Sequence, residues 1–209
     1  MEATMNSFIK CIEKAIEKNT DFLTSLDGAI GDADHGINMK RGFNAVALKV
    51  TDEDTDIGIT LKKVGMTLLS TVGGASGPLY GTAFIKAGIV AQGKTVLDGV
   101  LVEKMLLAAI SGIKEKGKAT KGEKTMVDAL EPAYESIKLG IEKGHSLLMC
   151  LESACQAAQA GVEFTKTIKA TKGRASYLGD RSIGHQDPGA TSSLIILKAV
   201  TNHYKQCYK

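Results

Sequence analysis

Residues 56–92 read DIGITLKKVGMTLLSTVGGASGPLYGTAFIKAGIVAQ, two strongly apolar segments (56–75 and 78–92) broken by the glycine cluster GGASGP. Helix formers dominate here and through the rest of the chain, β-branched residues seldom alternate with polar ones, and aromatic residues make up 5% of the 209. That pattern predicts helices, not strands. Upstream, Met5, Phe8, Ile9, Ile12 and Ile16 recur at spacings of three and four, an amphipathic helix ending near Asn19. A short second segment and GDADHG follow, then a helix from Asn38 through Val50 with Met39, Phe43 and Val46 on one face. Downstream, Asp98 is a cap for a helix from 99 to about 115. Thr125 and Asp128 open one that runs to about Lys143, with Pro132 kinking it or marking its first turns, and Ser146 caps the next. A loop over 169–186 leads to a last helix, from Asp187-Pro188 to near Tyr204. With no repeat, linker or compositional break, the expectation is one all-α domain over residues 1–209, of about eight helices.

Composition narrows the function. Hydrophobic residues make up 44% and charged residues 23%, an ordinary globular balance. The formal net charge of +3 is too small to argue for nucleic acid or membrane binding. The basic run 114–124, KEKGKATKGEK, reads as a solvated loop. Cys11, Cys150, Cys155 and Cys207 form no C-x-x-C pair and no array with histidine, as expected of free thiols in a reducing compartment. The stretch 1–19, MEATMNSFIKCIEKAIEKN, lacks the apolar run of a secretory signal, and no apolar run is long enough to span a membrane. A cytoplasmic protein is expected.

Polar chemistry concentrates in three loops, 27–38, 73–78 and 171–191, which are richer in Gly, Asp, Ser and His than turning a chain requires. In the first, Asp27, Asp32 and Asp34 are either ligands of a hard cation such as Mg²⁺ or Ca²⁺, or turn and cap aspartates beside Gly28, Gly31 and Gly36. An EF-hand is excluded, because His35 stands at an oxygen-ligand position and the closing glutamate is absent. His35 reads as a hydrogen-bonding turn residue or a catalytic one, and Asn38 as a cap or a phosphate-facing amide. In the second loop, Ser76 as N-cap with Pro78 in the first turn opens a helix whose free N–H groups favour an anion, though the same residues make an ordinary helix–helix turn. It is not a Walker A loop, since no G-K-[ST] follows. In the third, Asp187 is an N-cap candidate, Pro188 takes the first helical position and Gly189 leaves the next N–H open. The Asp187 carboxylate suits a ribose or adenine better than a phosphate. Lys172, Arg174, Arg181 and His185 precede it, as phosphate-binding groups or as a solvated loop. No residue reads as a nucleophile beside a base, and phosphoryl transfer needs positioning and charge neutralisation more than covalent chemistry.

GDADHGINM, VGGASGPLYGT, GEKTMVDAL and GRASYLGDRSIGHQDPGATS, in that order over nearly the whole chain, resemble the ADP-binding L subunits of phosphoenolpyruvate-dependent dihydroxyacetone kinases. The resemblance implies an antiparallel eight-helix barrel with a nucleotide at one end. It implies that Asp27, Asp32 and Asp34 hold two Mg²⁺ ions bridging the nucleotide phosphates. His35, Gly36, Ile37 and Asn38 match the segment along the phosphates, and Ala75 and Ser76 the glycine-loop contacts. Gly117 and Met126 match the adenine end, Arg174 a phosphate-facing arginine, and Asp187, Pro188 and Gly189 the last contact loop. In such proteins ADP stays bound as a cofactor. A phosphorelay M subunit of the sugar phosphotransferase system phosphorylates it to ATP, and the phosphoryl group passes to dihydroxyacetone held covalently on a K subunit. Aspartate at 180 stands where glutamate is commoner, a charge-preserving departure. Two other readings share the fold: a kinase domain using free ATP, and a regulatory partner of a transcription factor. A homodimer is compatible with each.

Overall fold

The computed structural model describes residues 4–208, so the first three residues of the N-terminal stretch weighed above lie outside it. Local capping chemistry starts most of the helices. The side chains of Asp56, Asp98, Ser146 and Asp187 each accept the backbone N–H three residues on, from Ile59, Leu101, Met149 and Ala190. The helices are α1 (Met5–Lys18), α2 (Thr20–Ile30), α3 (His35–Lys49), α4 (Ile57–Thr71), α5 (Ser76–Val90), α6 (Gly99–Gly117), α7 (Val127–Glu142), α8 (Leu147–Thr167) and α9 (Pro188–Cys207). A 3₁₀ helix, Arg174–Ser182, lies inside the expected 169–186 loop. There is no strand among the described residues.

Eight of these helices close a ring. Each of α1, α3, α4, α5, α6, α7, α8 and α9 packs on the next, and α9 returns to α1. The all-α fold read from the sequence and the barrel that the resemblance implied are therefore present, with α2 as a ninth helix laid against α3 and α9. Phe8, Ile9, Ile12 and Ile16 of the apolar face read on α1 are buried and Met5 is partly so, and Met39, Phe43 and Val46 of α3 are buried. Ile9, Ile12 and Ile16 join Met39, Phe43 and Val46 with Val64 and Leu68 of α4 in the largest core cluster. A second cluster joins α7, α8 and α9 through Ala133, Ile137, Leu151, Ala158 and Leu194.

Glycine sets the spacing within the hairpins. α4 and α5 touch at two reciprocal pairs seven residues apart, Gly58 with Gly88 and Gly65 with Gly81. A Cβ on Gly65 would stand 2.6 Å from the Gly81 carbonyl, and one on Gly81 would stand 2.9 Å from the Gly65 carbonyl. The backbones therefore meet with no side chain between them. Between α7 and α8, Gly161 packs on the carbonyl of Asp128. That carbonyl is the one left without a helical partner by Pro132, the sixth residue of α7.

This close approach makes the α4–α5 contact intolerant of a single methyl group. Gly65→Ala and Gly81→Ala should each lose about 1–3 kcal/mol by denaturant titration, the overpacking outweighing the helix propensity gained. Gly99→Ala, whose Cβ would meet Ile141 at an ordinary 3.4 Å, should lose nothing. Equal stability for all three would remove the spacing argument.

Candidate functional site

Alternation round an even ring brings the starts of α3, α5, α7 and α9 to one end, together with the last turns of α2 and α6. They enclose a cavity of about 350 Å³. Four helix N-termini face one space and favour negative charge there.

The acidic loop is built around Asp27, which is 9% exposed near the end of α2. Its Oδ2 accepts the backbone N–H groups of Asp34 at 2.9 Å and His35 at 3.2 Å. One carboxylate on α2 thus does the capping of α3, which is why α3 starts at His35, three residues earlier than the sequence predicts. Gly31 has no room for a side chain beside this carboxylate, and Ala33 adopts a left-handed φ of 59°. The turn gathers Asp27, Asp32 and Asp34 so that one carboxylate oxygen of each lies within 4.8 Å of the others. This oxygen-only donor set fits a hard divalent cation. The Arg174 guanidinium, 67% exposed, pairs with Asp32 at 2.9 Å.

His35 is buried between two hydroxyls, Ser76 on Nδ1 at 3.0 Å and Ser192 on Nε2 at 2.9 Å. Burial pushes its pKa down, while the carboxylates of Asp27 and Asp34 pull it back up. Ser192 also meets the Tyr80 hydroxyl at 2.7 Å, and Tyr80 meets Ser193 at 2.9 Å. Burial pushes the Tyr80 phenol up to about 12, so it stays protonated. Ser76 is thus the first residue of α5 and faces His35. It is not the N-cap expected from sequence: Ala75 holds that position with no side-chain bond, leaving the first amides of α5 uncapped. Gly74, at a φ of 64°, has open space where a Cβ would stand.

At the far wall, Leu79, Ile113, Ala119 and Met126 make an apolar surface beside Gly117. Beside it stand Asp187, Pro188 and Gly189, with Gly189 against Met126. Asp187 is half-buried and caps α9 by accepting the Ala190 N–H at 2.7 Å. Burial pushes its carboxyl up to about 7, the Ala190 amide, the Lys124 ammonium and the Gly189 amide oppose the rise, and Asp128 adds to it.

Of the residues singled out from sequence, Asp27, Asp32, Asp34, His35, Ala75, Ser76, Gly117, Met126, Arg174, Asp187, Pro188 and Gly189 all line this cavity. Gly36, Ile37 and Asn38 do not: Gly36 and Ile37 are turned about 100° and about 200° from His35, and Asn38 returns toward its face most of a turn further along α3. Gly36 packs on the Thr20 carbonyl and Ile37 is 56% exposed. Asn38 is buried, with its Oδ1 accepting from Arg41 at 2.7 Å, and its amide lies behind Gly73. The sequence reading missed Tyr80, Ser192 and Lys124. The run 114–124 is not one solvated loop: residues 114–117 finish α6, Lys116 lines the cavity, and Lys124 is 1% exposed.

The profile of the DAK2 domain matches residues 29–202. The chain is 48% identical over 180 residues to the PEP-dependent dihydroxyacetone kinase, ADP-binding subunit DhaL, of Escherichia coli (strain K12), covering 86% of each. It is 41% identical over 187 residues to the PTS-dependent dihydroxyacetone kinase, ADP-binding subunit DhaL, of Lactococcus lactis, covering 88% of each. The solved dihydroxyacetone kinase from C. freundii, in complex with AMP-PNP and Mg²⁺, superposes with a TM-score of 0.72 at 25% identity. That match covers 96% of this chain and 34% of the kinase chain, so this chain spans about a third of it.

Asp187 should leave a mark on stability. Its folded pKa lies above the value of 3.8 expected unfolded, so the fold takes up a proton that the unfolded chain does not. Its contribution is complete below pH 3.8 and is lost as pH rises through about 7. The thermal midpoint of the nucleotide- and metal-free protein, relative to Asp187→Asn, should therefore be higher at pH 5 than at pH 8. Asparagine can still cap α9. An offset between the two proteins that is the same at both pH values would contradict this assignment.

Proposed function

The chain belongs to the DAK2-domain family, among its DhaL-type subunits, and on that premise we propose that it is the ADP-binding subunit of a phosphoenolpyruvate-dependent dihydroxyacetone kinase. In this reading it keeps ADP as a resident cofactor with two Mg²⁺ ions and presents it to a phosphorelay M subunit for phosphorylation. It then delivers the phosphoryl group to dihydroxyacetone, which a K subunit holds covalently. The chain acts as one nucleotide- and magnesium-binding unit over 1–209, in the cytoplasm.

One observation carries the reading: four helix N-termini and three carboxylates line a single cavity. The N-termini alone would take any anion, and the carboxylates alone would repel one. A polyphosphate bridged by hard cations satisfies both. Asp27, Asp32 and Asp34 would hold the cations, whose chemistry is to neutralise phosphate charge. The uncapped amides of Ser76 and Gly77 and the Arg174 guanidinium would meet phosphate oxygens. The apolar wall at Leu79, Ile113 and Met126, beside Gly117 and below Pro188, would take the base. The Asp187 carboxyl stands where a ribose or base N–H or O–H would reach it.

Within the same fold, exchange of free ATP or a purely regulatory role would show in the nucleotide content. Acid denaturation of the purified protein should release near-stoichiometric ADP, with about two Mg²⁺ per chain on the same sample. Asp32→Ala should purify empty and bind added ADP at least about tenfold more weakly. Absence of nucleotide, together with weak exchangeable ATP binding, would sink the resident-ADP reading in favour of the other two.

A further inference from the structure

Lys124 is fully buried, and its φ of 60° is left-handed, a conformation a non-glycine residue keeps only when its surroundings hold it there. Its ammonium donates to the carbonyls of Thr165, Ile168 and His185, the second at 3.4 Å. Three protons meet three acceptors, so none is left for a ligand. Thr165 and Ile168 belong to the last turn and cap of α8, whose carbonyls no helical amide reaches. A cation at that end also opposes the helix dipole. Burial pushes the ammonium pKa down, and Asp187 and Asp128 pull it back up.

The three carbonyls come from chain 41, 44 and 61 residues away. Other bonds follow the same path. The Asp187 N–H donates to Thr165 Oγ1 at 3.0 Å, Gly184 N–H to the Lys166 carbonyl at 2.7 Å, and Thr171 N–H to the Glu123 carbonyl at 3.3 Å. Lys124 therefore joins the turn before α7, the end of α8 and the approach to α9. Met126 lies two residues beyond it, and Asp187 two residues beyond His185.

From these contacts we infer that Lys124 is a positioning residue for the base end of the cavity, its ammonium fixing where Asp187, Pro188 and Gly189 stand relative to Met126. The inference rests on the nucleotide reading above. It assigns Lys124 no contact with the reacting atoms.

Lys124→Met keeps the stem and removes the ammonium. In calorimetry with Mg²⁺, it should bind ADP about tenfold or more weakly than the wild type, with a smaller ADP-induced rise in Tm. Hydrogen exchange at the Gly184 and Asp187 amides should quicken. Mn²⁺ binding without nucleotide, followed by electron paramagnetic resonance, should change by less than about twofold, since the Lys124 ammonium bonds only to the carbonyls of Thr165, Ile168 and His185 and to none of the three carboxylates. An unchanged ADP affinity overturns the inference, as does joint loss of ADP and Mn²⁺ binding, which would mark general unfolding. Should the Met variant not fold, Lys124→Gln, with two N–H donors, should show an intermediate loss of ADP affinity, and wild-type affinity there overturns the inference. Should the wild type itself bind no ADP, the functional reading fails and exchange alone decides. Quicker exchange at Gly184 and Asp187 upholds the fixing role, and equal exchange removes it.

Discussion

Three pairs of consecutive helices in this protein, α2–α3, α4–α5 and α7–α8, meet backbone to backbone, and much of the structure depends on that distance. Gly58 against Gly88 and Gly65 against Gly81 hold α4 and α5 together, Gly36 sets α3 on the start of α2, and Gly161 sets α8 on α7. Side chains at the α4–α5 and α7–α8 contacts would widen those two hairpins, and a widened hairpin would strain closure of the ring. Closure with an even number of alternating helices has an electrical consequence. Every second helix begins at the same end, so the dipoles of α3, α5, α7 and α9 point their positive ends into one cavity.

Against that field the chain sets its carboxylates by backbone means. Asp27 is held by two amides of the next helix, and the loop it shapes carries Asp32 and Asp34 beside it. The same carboxylate is thus a structural cap and a member of the donor set. Arg174 closes the arrangement from the 3₁₀ segment, where its guanidinium rests on Asp32. A ligand that engages both the cluster and the N-termini would meet groups already in place, which limits the ordering cost of binding.

Much of this was legible locally. Asp98, Ser146 and Asp187-Pro188 cap the helices that the sequence assigns to them, and the spacing on α1 marks the face it buries. Short-range chemistry decides these features, so a short window carries the signal. Lys124 was illegible for the opposite reason. Its neighbours are lysines, glutamates and glycines, and only the distant end of α8 makes its burial possible. Tyr80 and Ser192 are likewise ordinary helix residues until the ring brings α5 and α9 together. Gly36, Ile37 and Asn38 show a subtler limit. A contiguous stretch on a helix cannot present all its side chains to one cavity, and only His35 of that stretch faces in.

The hydroxyl chain from Ser76 through His35 to Ser192 carries a further consequence. A neutral imidazole has one proton, so it donates at one nitrogen and accepts at the other. With the proton on Nε2, Ser192 accepts it and turns its own hydrogen to the Gly189 carbonyl at 3.1 Å, and Ser76 must give its hydrogen to His35. With the proton on Nδ1, Ser76 accepts from His35 and its hydrogen is free to turn toward the cavity. One tautomeric choice, made inside the protein, decides whether the first hydroxyl of α5 greets an approaching anion as a donor or only as an acceptor.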